Sequence, residues 1–269
     1  MKKIFFSALL SASLFSAFAQ TKVVAHRGFW QTGNVAQNSL ESLIKADEAG
    51  CWGSELDVWM TADGVVVVHH DADIDGVRIE TARYADIREK TLRNGERLPL
   101  LEQYLWEASH HPNLKLVLEV KSHTDKALED KCVDEVLRLV KKYCLVDQTD
   151  YISFSMRACE RIVARGAQVL NGPNGQRSGK RVDKADVRVF YLSGDVAPKD
   201  IKAKALRGID YEQSILLKSH PEWIRECHDL GLEVNVWTVD DLNNVWTLTQ
   251  QGVDYITTNR PVETLKLTK

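Results

Sequence analysis

The chain has no CxxC pair, no internal repeat and no excess of basic charge. After its first twenty residues it also has no apolar run of membrane-spanning length. Each absence removes a class of function. Cys51, Cys132, Cys144, Cys159 and Cys227 lack the paired spacing of a zinc ribbon, and an odd number leaves at least one thiol without an intrachain partner. They read as small buried apolar residues. Lys and Arg total 35 against 38 Asp and Glu, a net charge of −3, which argues against nucleic acid as the main partner. A membrane span needs about 20 consecutive apolar residues, so no stable membrane insertion is expected.

What is present begins with a leader. MKKIFFSALLSASLFSAFAQ has two lysines, a short apolar run and Ala17-Phe18-Ala19 before Gln20, the three-part layout of a secretory signal. Residues 1–19 are therefore expected to be removed, with the mature protein exported to the periplasm or beyond. Losing Lys2 and Lys3 takes the net charge from −3 to −5. The remaining 20–269 suits one large α/β domain.

Strand-like runs alternate with helical patterns, which predicts a parallel sheet with crossover helices. The runs are 22–28, 54–60, 65–71, 114–121, 151–155, 187–192, a weaker one at 207–213, 233–239 and 254–258. Asn38 is placed to cap a helix over 39–49, with Glu41 completing a capping box and Gly50 ending it. Ser219 and Glu222 form a similar box before Gly231, and Asp240 or Asp241 opens a later helix. Nine runs exceed the eight strands of a (βα)8 TIM barrel, and Thr61 to Gly64 is too short for a crossover. The expected fold is an irregular TIM barrel with one extra strand. The polar segment 72–98 reads as a loop insertion or small cap over its mouth.

Barrel sites form at the C-terminal strand ends, and ionisable residues gather there. His26 and Arg27 end the first run, Glu55 and Asp57 share a face of the second, His70 and Asp71 end the third, and Glu119 and Lys121 share a face of the fourth. Each pair alone has a plain structural explanation, such as a Glu119–Lys121 salt bridge or a solvated strand face. Together, at consecutive strand ends, they predict a site. Glu55, Asp57 and Glu119 suit a hard divalent cation, Ca²⁺ or Mg²⁺. His26 and His70 have the pKa range for acid and base work. Arg27 and Lys121 supply positive charge for a phosphate. His69 alternates away from the site, and Asp71 serves to orient His70 or to accept backbone hydrogen bonds. This constellation fits phosphodiester cleavage.

The blocks His26-Arg27-Gly28, Glu55-Leu56-Asp57-Val58, Thr61-Ala62-Asp63-Gly64, His70-Asp71 and Glu119-Val120-Lys121 resemble those of the glycerophosphodiester phosphodiesterases. So do Val234 to Val239 and Gly252 to Pro261 near the end. The resemblance implies a TIM barrel that hydrolyses a small-molecule glycerophosphodiester to an alcohol and glycerol 3-phosphate. It implies the same cation ligands, histidine pair and phosphate contacts, and adds Trp237 as a wall of the glycerol pocket. Two departures stand out: Gln37 replaces an acid beside the first helix, and Asn259 stands where an Asp is common. Direct attack by water and a cyclic-phosphate route both remain open. So do two alternatives, a lipid-directed lyase resembling the sphingomyelinase D toxins and a non-catalytic phosphodiester-binding module. The lyase would need an apolar rim, for which Phe29, Trp30 and Trp59 are the nearby candidates.

Overall fold

The computed structural model describes residues 20–170 and 187–268; the expected leader at 1–19 lies outside the described residues. From β1 (Lys22–Ala25) the chain runs through α1 (Leu40–Glu48), β2 (Gly53–Met60) and β3 (Val66–Val68). A small excursion carries β4 (Asp73–Ile74), β5 (Val77–Arg78) and α2 (Tyr84–Ile87), and α3 (Leu101–Ala108) returns to the body. Then follow β6 (Lys115–Val120), α4 (Lys126–Lys142), β7 (Thr149–Ser153), α5 (Met156–Leu170), β8 (Val189–Tyr191), α6 (Pro198–Ala203) and β9 (Gly208–Glu212). The chain ends with α7 (Trp223–Asp229), β10 (Glu233–Trp237), α8 (Leu242–Gln250), β11 (Tyr255–Thr258) and α9 (Pro261–Leu267).

Because β1 pairs in parallel with both β2 and β11, the eight parallel strands close into a barrel with helices outside. The ninth strand is β3, antiparallel to β2 with Met60 opposite Val66 and Val58 opposite Val68. The turn between them closes with Thr61 N–H donating to the Val65 carbonyl. The third sequence run is thus the extra strand, and it folds back against β2 to bring His70 toward Asp57.

Most apolar packing lies between barrel and helices, where Leu56, Val58, Leu116 and Leu118 meet Leu43, Leu101 and Val133. A smaller cluster, including Val24, Val117, Ile152 and Phe190, fills the barrel interior. The segment at 72–98 has a core of its own: Ile74, Ile79, Ile87, Leu92 and Leu98 pack with Trp59 and Val67. These residues come from short pieces with no common period, so the sequence pattern shows only their polar neighbours. The segment is fastened to loops at the C-terminal strand ends. Glu80 accepts from Thr124 N–H at 2.8 Å, and Arg93 donates to the Val35 carbonyl at 3.0 Å.

Helix starts differ in detail from the sequence pattern. Ser39, not Asn38, caps α1 by accepting from Ser42 N–H. Neither Ser219 nor Glu222 caps α7 with its side chain, and Glu222 bonds His220 instead. Asp241 caps α8, which leaves Asp240 free for another task. Cys51, Cys132, Cys159 and Cys227 are buried, and all five cysteines are free thiols.

Candidate active site

Every residue of β2 is buried. Alternation along the strand sends Leu56 and Val58 outward to the helices, while Glu55 and Asp57 face the barrel axis. The β2–β6 register sets Glu119 directly beside Asp57. Glu55, Asp57 and Glu119 each offer a carboxylate oxygen within 4.8 Å of the other two. Residues 64 positions apart in sequence thus form one acidic cluster.

Two cations meet this cluster. Lys121 Nζ lies 2.7 Å from Asp57 Oδ1 and 3.0 Å from Glu119 Oε1. Arg27 Nε lies 3.7 Å from Asp57 Oδ2, and the Arg27 backbone N–H donates to Glu55 Oε2 at 2.7 Å. That amide is aimed by a tight turn in which Arg27 and Gly28 both have positive φ, 58° and 74°. Gly28 is required there, since a Cβ would overlap the Ser42 side chain. Gln37 accepts from Arg27 Nη1 at 2.8 Å. The amide that replaces an acid therefore acts on the guanidinium side of the site.

The acids do not share their charge evenly. Burial, then the Asp57 and Glu119 charges, hold the Glu55 carboxyl well above its ordinary range. Burial pushes Glu119 up to about 8 despite Lys121. Burial also acts to raise Asp57, but Lys121, His70 and the Asn38 hydrogen bond outweigh it and keep Asp57 ionised. Burial opposes the Lys121 charge, yet Asp57 and Glu119 hold the ammonium protonated.

Two histidines line the same cleft. His26 Nδ1 is 2.9 Å from Asn259 Oδ1, and His70 Nδ1 is 2.7 Å from Asp71 Oδ1. Burial followed by the Arg27 charge pushes His26 down to about 4. Burial also lowers His70, against the pull of Asp57. Of the two roles open to Asp71, the contact it makes is with the His70 ring. His69 faces the 72–98 segment, with Nε2 3.2 Å from the Asp73 carbonyl.

The cleft is open to solvent and spans about 470 Å³ of empty space. Its charged wall is His26, Arg27, Glu55, Asp57, His70, Glu119 and Lys121; the opposite wall is Ile152, Phe154, Leu192 and Trp237. Trp237 is fixed by an Nε1–H bond to the Asp210 carbonyl at 2.9 Å and by edge contact with Phe154 at 5.5 Å between centroids. All eight sequence-predicted site residues therefore reach one cleft. The three candidates for the apolar rim that the lipid-directed alternative would need are engaged elsewhere. Trp59 is buried beneath the 72–98 segment, Phe29 packs on the main core, and Trp30 lies under the Arg93 guanidinium.

Sequence reasoning missed three residues. Asn38, fully buried, donates to Asp57 Oδ2 at 2.8 Å and accepts from Asp57 N–H at 3.1 Å. Asp210 lines the cleft from β9, with Oδ2 bonded to Asn235 and Oδ1 without a partner. Asp240 holds Asn259 behind His26. The signals were slight: an Asx before a helix, an acid in the weakest strand run, and a doubled Asp before α8.

The acidic cluster fits a divalent cation. Two oxygens on one Ca²⁺ are separated by at most about 5 Å, twice the bond length of roughly 2.3–2.6 Å, and the cluster meets that limit. With all three carboxylates ionised around an ion, the one lysine leaves two negative charges for that ion to balance. The buried Glu119 Oε1 has no hydrogen bond, since Lys121 lies near it but off the hydrogen-bond direction.

Comparison with known proteins agrees with this geometry. The model of the glycerophosphoryl diester phosphodiesterase family matches residues 26–263. A glycerophosphodiester phosphodiesterase from Caldanaerobacter subterraneus subsp. tengcongensis is 24% identical over 93% of this chain and 98% of its own. A crystal structure of a glycerophosphodiester phosphodiesterase from Parabacteroides distasonis is 40% identical, with a TM-score of 0.83 over 93% of this chain and 97% of that one. An Oleispira antarctica phosphodiesterase, solved with the product sn-glycerol-3-phosphate, shares the fold at 19% identity and a TM-score of 0.73 over 92% and 96% of the two chains.

Proposed function

Because this chain belongs to the glycerophosphoryl diester phosphodiesterase family, we propose that it cleaves glycerophosphodiesters with a divalent cation and a histidine pair, outside the cytoplasm. It is a phosphodiester hydrolase built on a TIM barrel. The cluster of three buried carboxylates within 4.8 Å, lining one cleft together with His26 and His70, carries the reading.

Glu55, Asp57 and Glu119 would hold Ca²⁺ or Mg²⁺. When bound, such an ion polarises a phosphoryl oxygen as a Lewis acid. Arg27 and Lys121 bring positive charge to the phosphate, where burial strengthens their effect. One histidine removes the proton of the attacking hydroxyl, and the other protonates the departing alkoxide. The products are an alcohol and glycerol 3-phosphate. The product-bound Oleispira antarctica relative supports that choice of product. Trp237 and Phe154 pack against the carbon skeleton of the glycerol or headgroup.

The decisive assay follows glycerol 3-phosphate release from glycerophosphocholine and glycerophosphoethanolamine, with and without chelator. Release that stops in chelator and returns with Ca²⁺ or Mg²⁺ is expected. Undiminished release in chelator would remove the cation from the account. Export rests on the leader pattern at 1–19. The mature protein is expected outside the cytoplasm with its first residue near Gln20, and N-terminal sequencing of the exported fraction checks it. Among the described residues no helix is long and apolar enough to cross a membrane.

A further inference from the structure

The two histidines are held by different chemistry, and the difference fixes a proton. The Asn259 side chain spans His26 and Asp240. One of its atoms faces Asp240 Oδ2 at 2.8 Å. A carboxylate only accepts, so that atom is the amide NH2. The other atom lies 2.9 Å from His26 Nδ1 and 3.2 Å from Trp30 Nε1. Indole N–H only donates, so this atom is the carbonyl oxygen, by a second and separate constraint. His26 Nδ1 must then carry a hydrogen and donate it. Asp240 is itself locked, accepting from Thr258 Oγ1 at 3.0 Å and from Asn259 N–H at 2.8 Å.

We infer that Asp240 and Asn259 form a positioning relay that holds His26 as the Nδ1–H tautomer, with Nε2 bare as the general base, and leaves proton donation to His70. This inference rests on the acid/base reading above and assigns its two roles. His26 meets a neutral amide, which orients the ring without stabilising an imidazolium by charge. His70 meets the Asp71 carboxylate at 2.7 Å, which does both. In the step itself, His26 Nε2 takes the proton of the attacking hydroxyl as its oxygen bonds to phosphorus. The phosphorus bond to the leaving oxygen breaks, and His70, entering the step as an imidazolium with Nδ1–H on Asp71, passes its Nε2 proton to that oxygen. The proton gained by His26 and the one lost by His70 are then exchanged through solvent. Two residues that appear in neither the cation cluster nor the phosphate contacts thus set the direction of catalysis.

The ring tautomer can be read directly. In the ¹⁵N-labelled wild-type protein at neutral pH, the His26 imidazole is expected to show a protonated Nδ1 and a bare Nε2. A protonated Nε2 with bare Nδ1 would overturn the relay. The second measurement is the charge swap Asn259→Asp with Asp240→Asn. It preserves the hydrogen bonds, because Asn at 240 can donate to Asp at 259, but moves the negative charge into contact with His26. The other charged groups facing His26 are Arg27 from its own turn, Asp57 from β2 and His70 after β3, and all are unchanged. The acid limb of kcat/KM against pH is expected to rise by at least one pH unit, with native circular dichroism. A profile that superimposes on wild type would contradict the relay. Should the swap fail to fold, the wild-type tautomer decides alone. Turnover that survives in His26→Ala would sink the acid/base reading underneath; an inactive His26→Ala together with an Nε2–H ring at His26 in the wild type would sink the relay only.

Discussion

Asn38 grips Asp57 twice, donating from its amide to the carboxylate and accepting from the backbone N–H. The paired bonds fix both the carboxylate and the strand that carries it. Asn38 has φ of 60°, a left-handed conformation that Asn tolerates better than most residues. Replacement by Ala keeps the volume small but frees Asp57 to turn. Losing such a partner typically costs about 10–100-fold in metal affinity. Asn38→Ala is expected to weaken Ca²⁺ or Mg²⁺ binding by about that much, read by calorimetric titration, with the fold retained by circular dichroism.

The turn at Arg27 and Gly28 makes a second prediction. Gly28→Ala adds a methyl against Ser42 at a positive φ. Overpacking of this kind costs about 1–3 kcal/mol. The displaced turn also carries His26 and the amide bonded to Glu55. The variant is expected to lower Tm and to lose more activity than the stability change explains. Wild-type Tm and kcat together would show that the turn is not tightly constrained.

Asp210 offers a stability test. Burial, then the Glu119 charge, hold its carboxyl well above the ordinary range. The folded state therefore keeps a proton that the unfolded chain releases above about pH 4. Stability falls as pH rises from there toward the folded pKa. Asp210→Asn removes that dependence. In cation-free protein it should raise Tm at pH 7.5 and have a vanishing effect near pH 4, as thermal melts at both pH values would reveal.

Glu233, at the opposite end of the barrel, behaves in reverse. It bonds Arg188 and Tyr255 at 2.7 Å each and also Arg207. Burial pushes its carboxyl up, but these partners hold it at about 2. Its contribution is present above about pH 4.5 and is lost as pH falls through 4.5 toward 2. Glu233→Gln should destabilise the protein at pH 7 and approach wild-type stability near pH 2. A constant difference across that window, measured by denaturant unfolding, would contradict the assignment.

The site was legible in the sequence where strand periodicity and chemistry coincide. Glu55 and Asp57, or Glu119 and Lys121, stand two apart on strands, and their joint arrival at consecutive strand ends points to one shared inward face. The extra strand was legible too, because four residues cannot carry a crossover. Residues that act from loops were not. Asn38 looks like a helix cap because an Asx before a helix normally is one, and Ser39 took that role. Asp240 and Asp241 are indistinguishable in sequence until one caps α8 and the other turns to Asn259. The core of 72–98 escaped because its apolar residues obey no period.

The central claim is that Glu55, Asp57 and Glu119 jointly bind one divalent cation needed for turnover. Calorimetric titration of chelator-stripped protein with Ca²⁺ and with Mg²⁺, repeated on Glu119→Gln, tests it most directly. The account predicts one site per chain for at least one of the ions, lost or weakened at least tenfold in the variant. Absence of binding by either ion, or identical binding by the variant, would contradict it.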